Sequence, residues 1–170
     1  MKRSDALAIL NQYVKKDSLV KHNLAVEAAM RFYAQKFNED VELWGNTGLL
    51  HDFDYEIHPV LETHPMNGAP ILRQAGVPED IVLAILSHGS NTGIPRDNLL
   101  RKTLFACDEI TGLITAVVLV RPSRSILDLT VSSVRKKWKD LRFAAGANRD
   151  EITQSAQELG IDLWEHVGNV

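Results

Sequence analysis

The sequence predicts an all-α fold in a single compact domain of 170 residues. Apolar residues recur three or four positions apart in several windows, which is the spacing of one buried helix face. No window alternates apolar and polar residues ahead of a hairpin turn, as a pair of strands would. The length suffices for a substantial core, and no repeat or low-complexity linker divides the chain.

The first half of the chain contains two predicted helices followed by an irregular stretch. The first helix carries an apolar face made of Leu19, Val26, Ala29, Met30, Tyr33 and Phe37. A second helix is predicted over about residues 39–51, after the polar break at Asn38. Pro59, Pro65 and Pro70 come next, and we expect short helices and turns there because proline lacks an N–H.

The second half is also predicted to be helical. Residues 77–80 read Val-Pro-Glu-Asp, and proline and acids are typical of a first helical turn. That helix is predicted to end near Gly89, before a loop over residues 89–98. The remaining predicted elements are a long apolar helix over about 99–120, short helices within 123–143, and one last amphipathic helix from about 150 that includes Leu163.

The composition argues against several classes of protein. A net charge of −3 gives no whole-molecule attraction for nucleic acid, so a nucleic-acid partner is not expected. Cys107 is the only cysteine, which excludes a disulfide within the chain and favours a reducing compartment. The longest apolar stretch, residues 110–120, is shorter than the ~20 residues that a membrane span needs. We therefore expect a cytoplasmic protein with no membrane partner.

Three of the polar residues share helix faces with apolar ones. His22 lies three residues after Leu19 and four before Val26, and His88 follows isoleucines at the same kind of spacing. Asp108 lies one turn after a leucine in the long apolar helix. A carboxylate in apolar surroundings needs a partner, and a divalent metal shared with the histidines would supply one. Each residue alone also fits a structural role. His166 is expected at the periphery.

His51 and Asp52 add an imidazole and a carboxylate side by side. Thr47 and Gly48, one turn earlier, are expected to leave space for an ion near the pair. Imidazole and carboxylate without thiolate suit Fe, Mn, Co, Ni, Zn or Mg rather than a structural zinc site. A His-Asp pair by itself is common, so the prediction of a metal site rests on the joint pattern.

That pattern, His22…His51-Asp52…Asp108 on predicted helices, resembles the HD-domain superfamily of metal-dependent phosphohydrolases, here of the small stand-alone bacterial HDIG-like type. The resemblance covers about residues 18–120 as a metal-binding core, with residues 121–170 as a helical extension. It implies that these four residues bind one metal. Phe53-Asp54 stands where the HDIG subgroup has Ile-Gly.

The resemblance also extends to two further histidines. His64 in THPMNGAPIL and His88 in AILSHGS resemble segments of bacterial two-metal HD proteins, including those that cleave dinucleoside polyphosphates. It implies that they hold a second ion and that Asp52 bridges the two ions. One or two metals both remain open, since His64 also fits a surface position and His88 fits a helix C-terminus.

The function implied by the resemblance is hydrolysis of a phosphomonoester, nucleotide or dinucleotide by a metal-activated water. His51, Asp52 and Asp54 are the candidate catalytic residues, with Asp54 a candidate proton donor. Arg121 and Arg124 follow the helix of Asp108 and are predicted to bind a substrate phosphate.

Two alternatives remain open for the function. A di-iron oxygenase on the same scaffold would consume oxygen, and a non-catalytic nucleotide sensor would not need activated water. The expected partner is a small phosphorylated metabolite or nucleotide, and the sequence also allows a homodimer.

Overall fold

The computed structural model describes all 170 residues and contains nine α-helices and no strand, which confirms the predicted all-α fold. The helices are α1 (Arg3–Tyr13), α2 (Asp17–Phe37), α3 (Val41–Leu50), α4 (Gly68–Gln74), α5 (Glu79–His88), α6 (Leu99–Leu119), α7 (Val131–Trp138), α8 (Arg149–Leu159) and α9 (Leu163–Asn169). No helix is both long enough and apolar enough to cross a membrane.

The chain divides into two compact units, Met1–Phe105 and Ala106–Val170, and the boundary falls inside α6. The first unit contains α1 to α5 and the start of α6. The second contains the rest of α6 and the last three helices. The prediction that the whole chain forms one domain stays a prediction.

Buried side chains hold α2 in place, and polar residues fix the end of α2 and the start of α3. Val26, Met30 and Tyr33 of the predicted stripe are fully buried in α2. Asn38 ends that helix in the left-handed conformation, at φ 58°, which asparagine tolerates better than most residues. The carboxylate of Asp40 then accepts hydrogen bonds from two backbone N–H groups in the first turn of α3 and caps it.

The core of the first unit lies between α1, α3, α4 and α5. Its large side chains include Leu10, Leu50, Phe53, Leu72 and Ile81, each at most 1% exposed. Burying an aliphatic or aromatic side chain of this size contributes roughly 1.5–3 kcal/mol. The core therefore fixes the C-terminal ends of α3 and α5, which carry candidate site residues.

The second unit has a separate core and corrects the predicted last helix. Its core includes Ile110, Leu113, Val134, Ile152 and Val167. The predicted single helix is in fact two helices, α8 and α9, which is a finding of the structure. The chain turns at a glycine, residue 160, with φ 76°, and the carboxylate of residue 162 caps the next helix.

The expectation that His166 is peripheral is wrong. The residue is fully buried in the second unit, and its Nε2 atom lies 2.7 Å from the backbone carbonyl oxygen of Ala106. Because a carbonyl oxygen only accepts, Nε2 carries the proton and donates. His166 therefore pairs with the backbone of α6 as a structural histidine.

Candidate metal centre

Four of the six histidines surround Asp52. His22 lies on α2, His51 follows the last residue of α3, His64 lies in the turn before α4, and His88 ends α5. We call His22, His51 and Asp52 the first ligand set, and Asp52, His64 and His88 the second ligand set. Within each set the possible ligand atoms all lie within 4.8 Å of one another. This cluster of histidines and a carboxylate is compatible with binding a divalent metal.

The two carboxylate oxygens of Asp52 face different histidines. Its Oδ2 atom lies 3.7 Å from Nε2 of His22 and 3.6 Å from Nε2 of His51. Its Oδ1 atom lies 3.2 Å from Nε2 of His64 and 3.6 Å from Nε2 of His88. Each oxygen can therefore contribute to one ligand set, with the carboxylate shared between them.

Hydrogen bonds to the Nδ1 atoms of His51 and His88 determine which form of each imidazole faces Asp52. Nδ1 of His51 lies 2.8 Å from the carbonyl oxygen of Gly48, and Nδ1 of His88 contacts the carbonyl oxygen of Ile85. A carbonyl oxygen only accepts, so both Nδ1 atoms carry a proton. In a neutral imidazole the lone pair then lies on Nε2, and this is the form that binds a metal.

The Nε2 atoms of the cluster approach one another in two pairs. Nε2 of His64 lies 3.1 Å from Nε2 of His88, and Nε2 of His22 lies 3.2 Å from Nε2 of His51. Two nitrogens bound at about 2.1 Å to one ion, at a right angle, are about 3.0 Å apart. Two unprotonated nitrogens at this distance repel unless a proton or a metal ion lies between them. The donor types and their spacing therefore fit a divalent metal.

The electrostatics of the cluster also favour a cation. Burial alone would lower the pKa of His64, but hydrogen bonds and charge from Asp52 and Asp54 raise this pKa to about 9. Burial likewise opposes ionisation of Asp52, yet the charge of His51 and hydrogen bonds from His64 and His88 hold its pKa well below the usual range. The carboxylate is therefore ionised at neutral pH and attracts positive charge.

Gly48 brings the two helices of the first ligand set together. A Cβ atom on Gly48 would lie 2.9 Å from the backbone oxygen of Val26 and 2.9 Å from Cγ of Met30, both on α2. The space at Gly48 is thus occupied by α2 and is not left for an ion, which corrects the prediction. This approach places His22 beside His51.

A second glycine contact brings together the second ligand set. A Cβ atom on Gly89 would lie 2.6 Å from Cδ of Pro65. Gly89 directly follows His88, and Pro65 directly follows His64. The absence of a side chain at residue 89 therefore lets the two histidines approach. The sequence marked Gly89 only as the end of a helix and not as a contact, because the contact joins segments 24 residues apart.

Asn23 is a site residue that the sequence reasoning missed. Its side chain is fully buried, donates to the carbonyl oxygen of Leu19, and accepts a 3.4 Å hydrogen bond from the backbone N–H of Asp52. It thereby holds the backbone of the shared carboxylate against α2. Its position on the predicted apolar stripe, four residues after Leu19, was the signal available in the sequence.

Asp54 lies behind His64, on the side away from Asp52. It is fully buried, and its Oδ1 atom lies 2.9 Å from Nδ1 of His64. That a catalytic Asp54 donates a proton stays a prediction, and the position described here favours a role through His64.

Asp108 lies on α6, three residues beyond the boundary between the two units. Its place as a metal ligand stays a prediction from the sequence pattern.

That Arg121 and Arg124 bind a substrate phosphate stays a prediction, and the contacts of Arg121 favour a structural role for it. The guanidinium of Arg121 donates to the hydroxyl of Ser133 and to the backbone and carboxylate oxygens of Asp128. Asp108 and the end of α6 are separated by 11 residues, or about 16 Å along the helix axis. Arg124 is exposed and lies beyond that end. We therefore omit both arginines from the proposed site.

Known proteins share parts of this sequence. The chain is 28% identical over 167 residues to a tRNA (cytidine(56)-2'-O)-methyltransferase of Thermoplasma volcanium, covering 86% of this chain and 48% of that protein. It is 30% identical over 96 residues to a ribonuclease Y of Nitratidesulfovibrio vulgaris, covering 56% of this chain and 18% of that protein. It is 26% identical over 147 residues to a ribonuclease Y of Desulfotalea psychrophila, covering 84% of this chain and 28% of that protein.

The chain thus spans about half the length of the first of these relatives and a smaller share of the others. No solved structure matches it. Residues 19–113 match the HD domain, and this segment contains both ligand sets and Asp108. The match covers more than half of the chain and confirms the resemblance drawn from the histidine and aspartate pattern. The chain belongs to the HD-domain superfamily of metal-dependent phosphohydrolases.

Proposed function

We propose that this protein is a metal-dependent hydrolase of a phosphomonoester, nucleotide or dinucleotide. The observation that carries the proposal is the position of Asp52, whose two oxygens each face one pair of histidine Nε2 atoms. Membership of the HD-domain superfamily supports the reaction class. The names of the ribonuclease Y relatives are consistent with chemistry at phosphate esters.

The proposed site has two ions. The first ligand set holds one ion, with Asp108 as the further ligand that the sequence pattern predicts, and the second ligand set, which shares Asp52, holds the other. Divalent ions supply two things when bound: they lower the pKa of a bound water to about 7, and they polarise the phosphoryl oxygens.

The protein's own residues prepare the ligands before a substrate arrives. Carbonyl oxygens of α3 and α5 fix the rings of His51 and His88, so their Nε2 atoms need no reorientation. The imidazole of His51 is fully buried, whereas the side chains of His22 and Asp52 are 20% and 13% exposed. We propose that a substrate phosphate enters at this exposed edge.

The proposed substrate is a small phosphate ester. Two kinds of relative are named for action on RNA, but the chain spans only 18–48% of their length and carries a net charge of −3. A negative chain gains nothing from long-range attraction to a polyanion. A small phosphorylated metabolite or nucleotide therefore fits better than a long nucleic acid.

A substrate screen tests the proposal. The full chain is incubated with Mn²⁺, Co²⁺, Mg²⁺ or Fe²⁺ and a panel of phosphomonoesters, mononucleotides, dinucleotides and short RNA, and phosphate or nucleotide release is measured. We expect metal-dependent hydrolysis of at least one small ester and none by Asp52→Ala. Oxygen consumption by the iron-loaded protein without hydrolysis of any ester would refute the proposal in favour of the oxygenase alternative.

A further inference from the structure

We infer that Asp54 is a positioning residue for the second ligand set. It holds the imidazole of His64 in the tautomer and orientation that present Nε2 to a metal ion. The inference rests on the proposed function and assigns to Asp54 a role that differs from proton donation to a substrate.

The carboxylate of Asp54 is enclosed by its contacts. It is fully buried, with Oδ1 2.9 Å from Nδ1 of His64. Its Oδ2 atom is buried and has no hydrogen-bond partner, and a Cβ atom on Gly68 would lie 2.6 Å from it. The carboxylate is thus confined between the imidazole and the backbone of α4. It is excluded from solvent.

The hydrogen bond determines which nitrogen of His64 faces the centre. The hydrogen bond to Asp54 occupies Nδ1 of His64, so Nε2 is the nitrogen left to bind a metal ion. Nε2 lies 3.2 Å from Oδ1 of Asp52 and 3.1 Å from Nε2 of His88. The ring is therefore oriented as a metal ligand of the second set.

The buried carboxylate of Asp54 also favours a metal ion at His64 on grounds of charge. A fully buried carboxylate with one hydrogen-bonded partner is costly in isolation. A divalent ion on the other side of His64 offsets this cost, because the positive charge acts on Asp54 through the ring. Backbone carbonyls contact the Nδ1 atoms of His51 and His88, whereas a carboxylate contacts that of His64. A carboxylate partner makes imidazole a stronger metal ligand.

The test compares metal binding by Asp54→Ala and Asp54→Asn in the full chain. Mn²⁺ is titrated against a competing chelator, bound metal is measured by elemental analysis, and the ¹⁵N shifts of the His64 ring are recorded with Zn²⁺ to identify the coordinated nitrogen. We expect Asp54→Ala to weaken the second ion about 10–100-fold while the first ion is unchanged, because removal of such partners has effects of this size. Asp54→Asn keeps the shape and should show a smaller loss.

Glu56→Gln is the matched control. The carboxylate of Glu56 accepts hydrogen bonds from the backbone N–H groups of Lys15 and Lys16, and it lies two residues from Asp54. We expect this variant to bind both ions as the wild type does. Equal loss in Glu56→Gln and Asp54→Ala would show a general disturbance of the segment and overturn the inference.

The remaining outcomes are also decisive. Two ions bound to Asp54→Ala with wild-type affinity, or loss of both ions together with helical structure, would each overturn the positioning role. A wild-type chain that binds only one ion would refute the second ligand set and this inference with it. Hydrolysis is not part of these measurements, so failure of the inference and failure of the proposed function remain distinguishable.

Discussion

At the scale of single residues, the sequence predicts most of the residues of the metal centre but not the roles of two that support them. His22, His51, Asp52, His64 and His88 were all recognisable from spacing and from the resemblance. The roles of Asn23 and Asp54 were not, because they depend on how the chain turns after α3. A polar residue's neighbours in the sequence do not determine its hydrogen-bond partner across a turn.

We expect Asp52→Ala to lower hydrolysis by at least about 100-fold, since even changes behind the metal ligands have effects of 10–100-fold. The physical reason is that both ligand sets lose an oxygen at once. Asp52 is absent from the apolar core of its unit, so the variant should remain helical. Steady-state kinetics and circular dichroism check both parts. Wild-type activity in Asp52→Ala at unchanged metal content would contradict the assignment.

At the scale of elements, periodicity predicted the helices that carry the site. The errors arose at glycines, where a turn or a contact between helices leaves no periodic pattern in the sequence. The helices predicted over 39–51 and 99–120 are present as α3 and α6, with each end within two residues of its predicted position. The last predicted helix is divided at Gly160, whose left-handed conformation the apolar pattern does not reveal. The approach of α2 to α3 at Gly48 was also hidden, because it is a contact between helices rather than a periodicity.

Gly48→Ala tests that approach. Its new methyl group would meet backbone atoms of α2 at 2.9–3.0 Å, so we expect a loss of about 1–3 kcal/mol in the free energy of unfolding. His22 should also move away from His51, which should weaken the first ion. Denaturant unfolding of the metal-free protein measures the stability, and Mn²⁺ titration measures the binding.

Gly112→Ala is the control for that change, because a Cβ atom on Gly112, within α6, meets nothing within 4 Å. We expect it to stabilise the protein by about 0.5–1 kcal/mol, since alanine is the better helix former. If Gly48→Ala were equally neutral or stabilising, the close approach of α2 and α3 at residue 48 would not be a constraint on the fold.

At the scale of the whole molecule, net charge and composition indicated less about the function than the pattern of histidines and aspartates did. Composition alone described an ordinary helical protein, whereas the positions of histidine and aspartate predicted the superfamily that the comparisons confirm. Arg121 shows how little the charge of a single residue predicts about its role. Arg121 pairs within its own unit, with Asp128 and Ser133, and the linear sequence gives no indication of that pairing.

The metal content of the full chain tests the central claim most directly. After saturation with Mn²⁺ or Fe²⁺ and removal of free metal, elemental analysis should give two ions per wild-type chain. His64→Ala and His88→Ala should each retain mainly the first ion, because each loses one nitrogen of the second ligand set. One ion per wild-type chain, unaffected by replacement of either histidine, would contradict a centre in which Asp52 joins two ions.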